Sequence, residues 1–351
     1  MASSDLSRRT FLKNSAGMLG LALAGSSALA GLAEGSRSSQ SAAESSPSSR
    51  SVAKGSRSPQ SAIEGSRKLP PLSFSTLGCP DWTFPAIMEF AKKNNYQGIE
   101  VRGILRQMDL PKCPEFNSPA AISATLRQMQ DHGLQFVDLG SSSELHHADP
   151  ATRKDHLDHG RQFIDLAHEL HCPYIRVFPN QLPKDQDRNA TIELIIKGLI
   201  ELGEHAHGSG VTVLMESHGE IVDSILLEQI MKGAEGPNTG MVWDIYNMWS
   251  ITKEPPAQVY GRLKKYIHHT HIKDGKTIGG HMVNGRMVDA KEQYALLGQG
   301  ESPILDAIKL LYDDGYPGFY SFEWEKLWHP EIADPEIALA DYPKAMARFF
   351  K

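Results

Sequence analysis

Four apolar runs in the C-terminal half of the chain each close on side chains that can bind a metal or move a proton. Thr212–His218 closes on Glu216 and His218, and Gly240–Asp244 closes on Asp244, with Asn247 just beyond. Ile267–Asp274 carries His269, His271 and Lys273, and Phe319–Glu325 carries Glu323 and Glu325. Successive strand side chains point to opposite faces. Glu216 therefore shares a face with His218, His269 and His271 share one with Lys273, and Glu323 shares one with Glu325. Earlier in the chain, Glu100 faces with Arg102, and Arg176 with Tyr174 and Phe178.

The spacing of these residues carries information. Glu216, Asp244 and His271 follow one another at about the length of one βα unit. The step from His271 to Glu323 is much longer, and the excess lies in Gly275–Gly300, rich in glycine and polar residues. That stretch predicts a long βα loop or lid. Three carboxylates and one imidazole form a mostly hard donor set. It suits one divalent metal ion, Mn²⁺, Mg²⁺, Co²⁺ or Zn²⁺, and not a thiolate-loving metal. A lone carboxylate at a strand end more often caps a loop or pairs with a cation, because unpaired buried charge is costly. Repetition over four consecutive strands is what points to a shared centre.

The elements that must position these groups alternate in type. Apolar runs predict strands near Leu72–Thr76, Gly98–Arg102, Phe136–Gly140, Tyr174–Phe178, Thr212–Glu216, Gly240–Asp244, Ile267–Lys273 and Phe319–Glu323. Amphipathic patterns between them predict helices over Phe84–Asn94, Leu157–Leu170, Ala190–His207 and Asp306–Asp314. Ser118 offers a helix cap with Pro119 behind it, and Gly315 a left-handed stop. Eight strands and a similar number of helices in about 280 residues fit a (β/α)8 TIM barrel, whose usual length is ~250. The rival is a doubly wound sheet, but no GxGxxG follows the first strand, and polar residues at strand C-termini suit the barrel better. The barrel domain is placed at residues 69–351.

The start of the chain reads differently. Ser7-Arg-Arg-Thr-Phe-Leu-Lys13 matches the twin-arginine export pattern, followed by the apolar run Ala16–Ala24 and small residues at Ala28-Leu-Ala30. Residues 1–30 are thus expected to be a twin-arginine signal peptide, recognised by the twin-arginine export machinery, which makes the protein periplasmic or otherwise exported. The alternative is an uncleaved anchor, although the apolar run falls short of the ~20 residues of a membrane span. Residues 31–68 are dominated by Ser, Gly, Arg, Ala and Gln and repeat Gly-Ser-Arg units, so they read as a disordered linker. A net charge of −6 and 40% hydrophobic residues exclude a mainly disordered chain and give no electrostatic case for a nucleic acid partner. The three cysteines are too few and scattered for a disulfide framework.

Several segments together resemble the xylose isomerase-like sugar isomerase/epimerase barrels. They are Gly98-Ile-Glu-Val-Arg102, Leu214-Met-Glu-Ser-His218, Trp243-Asp-Ile-Tyr-Asn247, His269-Thr-His-Ile-Lys-Asp274, Leu297-Gly-Gln-Gly300 and Gly318-Phe-Tyr-Ser-Phe-Glu323. The likeness runs from about Ser73 to the C-terminus. It implies that Glu216, Asp244, His271 and Glu323 hold the metal, and that Glu216 and Glu323 also serve as an acid/base pair on opposite faces of a sugar. His218, Asn247, Lys273 and Glu100 are candidate substrate contacts. For His218 and Lys273 the alternative is support of Glu216 and His271. For Glu100 the alternative is an ion pair with Arg102 or Arg176, which is the favoured reading. Asn247 departs from the family, whose sugar epimerases often carry a histidine there. His146-His147 is expected to be solvated, and Trp82, Trp249, Trp324 and Trp328 to pack unless they stack on sugar.

The chemistry expected of such a centre is proton transfer next to a sugar carbonyl through an enediolate, giving epimerisation or isomerisation. One alternative is a lyase or hydratase that expels the C1 substituent of a 3-keto-glycoside. Another is a non-catalytic sugar-binding barrel. Phosphorylated sugars are mainly cytoplasmic, so export favours an unphosphorylated sugar or glycoside as the small-molecule partner. Self-association into a homo-oligomer stays open.

Overall fold

The computed structural model describes residues 68–351; the expected signal peptide, and the expected linker up to residue 67, lie outside the described residues. Eight parallel strands close into a barrel: β1 (Leu72–Ser75), β2 (Gly98–Val101), β3 (Gln135–Glu144), β4 (Tyr174–Phe178), β5 (Thr212–Glu216), β6 (Thr239–Asp244), β7 (Ile267–Ile272) and, after an inserted pair, β10 (Tyr320–Phe322). The closing contact pairs Leu72 with Tyr320 and Phe74 with Phe322. Strands walled by helices outside and packed side chains inside are buried on both faces. Runs such as Val213-Leu-Met215 and Met241-Val-Trp243 are accordingly shielded throughout.

The helices lie between the strands: α1 (Phe84–Lys93), α2 (Pro119–His132), α3 (Pro150–Glu169), α4 (Arg188–His205), α5 (Ser224–Gly233), α6 (Ile245–Thr252), α7 (Pro256–Leu263), α8 (Ile304–Asp313) and α9 (Pro335–Phe349). Their ends follow the expected cap chemistry. Ser118 Oγ accepts from the Ala121 N–H at 3.2 Å with Pro119 at the first position, and α2 stops at left-handed Gly133. Gly315 is also left-handed, at φ 74°, just past α8. One helix begins earlier than expected. α3 starts at Pro150 because Asp149 Oδ2 accepts from the Thr152 N–H at 2.8 Å, a cap that apolar periodicity alone does not reveal.

The expected loop over Gly275–Gly300 is corrected in part. Most of it folds as an antiparallel hairpin, β8 (Asp274–Val283) with β9 (Arg286–Ala295), paired from Asp274–Ala295 out to Val283–Arg286. Three glycines in β8 and mixed polarity along both strands hide the alternation that would have announced it. One buried carboxylate ties the root of the arm. Asp274 accepts from the N–H groups of Gly275, Gly298 and Gly300 at 2.8–2.9 Å and from the Ser302 hydroxyl at 2.6 Å. A side chain at Gly300 would come within 2.0 Å of that carboxylate, so the close approach requires glycine. All three cysteines are buried and free.

Candidate metal centre

The four strand ends converge at the C-terminal mouth of the barrel. Glu216 ends β5, Asp244 ends β6, His271 lies on β7 directly opposite Asp244, and Glu323 follows β10. One donor atom from each lies within 4.8 Å of all the others. His271 Nδ1 is the hub. It stands 3.3 Å from Glu216 Oε1, 3.3 Å from Glu323 Oε2 and 3.7 Å from Asp244 Oδ2, and all four side chains are buried.

Local structure aims each donor. Asp244 caps α6 with one oxygen, Oδ1 accepting from the Asn247 N–H at 2.8 Å, which leaves Oδ2 turned to the centre. The other nitrogen of His271, Nε2, meets Glu100 Oε2 at 3.1 Å. An ionised Glu100 accepts there, so Nε2 carries a proton and Nδ1 is the nitrogen turned to the three carboxylates. Burial alone would lower the His271 pKa. The carboxylates of Glu100, Glu323 and Glu216 outweigh it and raise it well above the usual imidazole value. The same field draws a metal cation.

Donor chemistry fits a divalent ion. His271 Nδ1 is buried without a hydrogen-bond partner, and Glu216 Oε2 and Asp244 Oδ2 are met only by the cations of Arg176 at 3.0 Å and Lys273 at 2.8 Å, outside good hydrogen-bond geometry. Donor atoms so placed around one point leave room for a further group to satisfy them. Three carboxylates with one neutral imidazole match the hard to borderline ions Mg²⁺, Mn²⁺, Co²⁺ and Zn²⁺.

The surrounding residues differ from expectation in three places. Glu100 pairs with neither Arg102 nor Arg176. Its Oε2 gathers His269 Nε2 at 3.0 Å, His271 Nε2 at 3.1 Å and the Ser321 hydroxyl at 3.0 Å. Burial pushes its pKa up, but the two imidazoles prevail and hold it below the usual carboxylate range. Glu100 therefore lies behind His271, on the far side of the ring from the three carboxylates, and backs it. Arg102 turns to the Gly140 carbonyl and the Ser142 hydroxyl, and Arg176 Nε lies 3.0 Å from Glu216 Oε2. Glu100→Gln is expected to weaken divalent-ion binding about 10- to 100-fold, the usual effect of losing such a backing partner, measured by competition with a chromogenic chelator.

Lys273 is the second departure. Its buried ammonium reaches Asp244 Oδ2 at 2.8 Å and both Glu323 Oε2 and Glu325 Oε1 at 2.7 Å. It supports the carboxylates of the cluster, and not His271 as one alternative had it. Glu325 is a residue whose part the strand-end pattern missed. Burial raises it to about 7 against the pull of Lys273. The third departure is His146, expected in solvent but only 4% exposed.

His218 and Asn247 stand beside the cluster. His218 Nδ1 meets Asn180 Oδ1 at 2.7 Å, its ring lies 4.4 Å from Phe178, and burial lowers it to about 4, so it is neutral. Asn247 Nδ2 reaches the Ser217 carbonyl at 3.5 Å from the first turn of α6. Among the tryptophans, Trp324 is buried and donates to the Ala333 carbonyl at 2.9 Å, whereas Trp328 is exposed.

Comparison with known proteins places the fold. A family model described as Xylose isomerase-like TIM barrel matches residues 88–345. No curated protein sequence matches the chain. Similar solved structures include a xylose isomerase-like TIM barrel protein from Mycobacterium smegmatis in complex with magnesium, at 17% identity and TM-score 0.60 over 80% of this chain and 96% of that one. The probable 3-DHS dehydratase AsbF from Bacillus anthracis aligns at 16% identity and TM-score 0.63, over 79% and 98%. The apo 3-keto-D-glucoside 4-epimerase YcjR from E. coli aligns at 14% identity and TM-score 0.59, over 80% and 98%. At these identities the likeness is one of fold.

Proposed function

The chain belongs to the xylose isomerase-like TIM barrel family, and on that premise we propose that it is a divalent-metal-dependent sugar isomerase or epimerase, acting on an unphosphorylated sugar or glycoside. The observation that carries this reading is the pair of carboxylates Glu216 and Glu323, each 3.3 Å from His271 Nδ1, on strand ends separated by β6 and β7, which carry Asp244 and His271. Glu216, Asp244, His271 and Glu323 would hold the ion. Bound there, it would stabilise the negative oxygen of an enediolate.

The protein's own groups do the proton work. Burial tends to raise the pKa of Glu216, but Arg176 and His271 prevail and lower it. In Glu323, His271 and Lys273 overcome burial more strongly and hold it well below the ordinary value. Both are therefore carboxylates at neutral pH. One of them takes the proton beside the carbonyl; returning that proton to the neighbouring carbon gives isomerisation, and epimerisation follows when the other, protonated beforehand from solvent, delivers its proton to the opposite face. Lys273 on Glu323 and Arg176 on Glu216 keep each carboxylate oriented. The twin-arginine pattern at Ser7–Lys13 supports an unphosphorylated substrate outside the cytoplasm.

The test is metal-loaded protein in D₂O with a panel of free ketoses, aldoses and 3-keto-glycosides, read by NMR and mass. The expected result is deuterium on the carbon beside the carbonyl in a rearranged sugar of otherwise unchanged composition. Release of the aglycone would replace this reading with elimination at C1. Binding without exchange across the panel would make the barrel a sugar binder.

A further inference from the structure

The loop that follows β4 and the loop that follows β5 are clasped through one residue, Asn180. Its backbone is left-handed at φ 53°, a conformation that asparagine tolerates better than most side chains. Its carbonyl accepts from the Glu220 N–H at 2.7 Å. A side chain at Gly219 would come within 2.3 Å of that carbonyl oxygen, so the two loops meet backbone to backbone. Glu220 adds a second tie, its Oε2 accepting from the Leu182 N–H at 2.8 Å.

The Asn180 amide sits between two groups that use its ends differently. The Glu144 carboxylate, at the end of β3, accepts a hydrogen bond from it. A carboxylate offers lone pairs and no proton, so the amide nitrogen faces Glu144. The amide oxygen, Oδ1, then faces His218, whose Nδ1 lies 2.7 Å away. An amide oxygen only accepts, so Nδ1 of His218 carries a proton. A neutral imidazole has one N–H and one lone pair, which places the lone pair on Nε2. Among the described residues no protein group hydrogen-bonds to Nε2. The ring is also held by Phe178, whose centroid is 4.4 Å away and whose own face carries the Arg176 guanidinium at 3.7 Å. Glu216, Arg176, Lys273 and Glu323, the charged groups of the mouth, all lie near enough to act on it electrostatically.

We propose that Asn180, anchored by Glu144, is a positioning residue that holds His218 in its Nδ1–H tautomer and so presents Nε2 to the barrel mouth as the acceptor for a substrate hydroxyl. This role rests on the sugar-chemistry reading above and narrows it, because the substrate must then carry a free hydroxyl within reach of His218. The neutral amide between Glu144 and the ring passes on orientation without placing a carboxylate against Nδ1. A deoxy or O-methylated sugar at that hydroxyl leaves Nε2 unmet, which is the basis of selection.

The test follows the ring itself. The full chain, loaded with Mg²⁺ and labelled with ¹⁵N at histidine, is read at neutral pH by two-bond ¹H–¹⁵N correlation, with His218→Gln identifying the peaks of this ring. The Nδ1–H pattern is expected in the unaltered protein and in Asn180→Asp, which keeps an acceptor and suits the left-handed backbone. Asn180→Gly also suits that backbone but removes the amide, and it should lose the Nδ1–H pattern while keeping its bound metal ion. An Nε2–H pattern in the unaltered protein, or an Nδ1–H pattern that persists in Asn180→Gly, would overturn the proposal. With the sugar found in the D₂O panel, Asn180→Gly should lower kcat/KM about 3- to 10-fold, the worth of one hydrogen bond, and Asn180→Asp should recover most of it. Unchanged kcat/KM in the glycine variant would overturn the substrate role. Failure of every sugar in the panel would overturn the reaction while the tautomer still decides the clasp, so the two fail separately.

Discussion

Glu323→Gln is expected to lower kcat by at least about 10³-fold at saturating metal, with weaker metal retention as a separate loss. A positioned general acid or base contributes typically 10²- to 10⁴-fold, and Glu323 is proposed both as base and as ligand. Glutamine keeps the shape of the side chain but removes the charge that faces His271 Nδ1 at 3.3 Å and Lys273 Nζ at 2.7 Å. It also leaves the Lys273 ammonium with two carboxylates in place of three. Measuring bound metal beside turnover divides the two effects, because a ligand loss alone would be recovered by raising the metal concentration. Wild-type kcat in metal-saturated Glu323→Gln would put the proton-transfer group elsewhere. Glu216→Gln offers the matched control from the other side of the cluster, where Arg176 takes the place of Lys273 as the charged neighbour.

Chelation is expected to abolish activity altogether, and Mn²⁺, Mg²⁺, Co²⁺ or Zn²⁺ to restore it to differing extents. Without a cation, three buried carboxylates share one small space. The cost shows at Asp244, whose pKa burial raises despite the ammonium of Lys273. Refilling should stabilise the fold as well as the reaction. An ion at about 100 times its dissociation constant adds about 2.7 kcal/mol, which for a domain of this size is a rise of several degrees in Tm. Calorimetry with and without the ion measures that rise, and assay of the same samples measures the activity. Full turnover in verified metal-free protein would refute the proposed reaction.

The barrel was legible because its strands are buried on both faces. Short apolar runs between amphipathic helices leave few other folds, and the strand ends follow from them. The inward set Glu216, Asp244, His271 and Glu323 was legible for the same reason, since alternation along a strand decides which side chains meet at the mouth. Contacts across the barrel were not. Nothing local in Gly98-Ile-Glu-Val-Arg102 says that Glu100 meets histidines on β7, about 170 residues later, before it meets the arginine two places on. The hint was present in the other direction, in the two inward histidines, His269 and His271, only one of which a single ion needed. Lys273 escaped likewise, because its three partners come from β6 and from the segment after β10. His146 was misjudged because a polar pair after a strand usually faces water, and only tertiary packing buries it.

The knot at Asp274 has a consequence for how such a protein can vary. The hairpin is tied to the barrel at its root, where one carboxylate collects three backbone N–H groups and a hydroxyl. Residues beyond that root, from Ile278 to the tip, project into solvent. Below the root, β7 ends at Ile272, just before Lys273, and the base of the arm is held further by Tyr246 on the Lys276 carbonyl and Lys253 on Thr277. Variation confined to the solvent-facing stretch from Ile278 to the tip changes what is presented above the mouth while leaving the knot, and the residues it adjoins, in place.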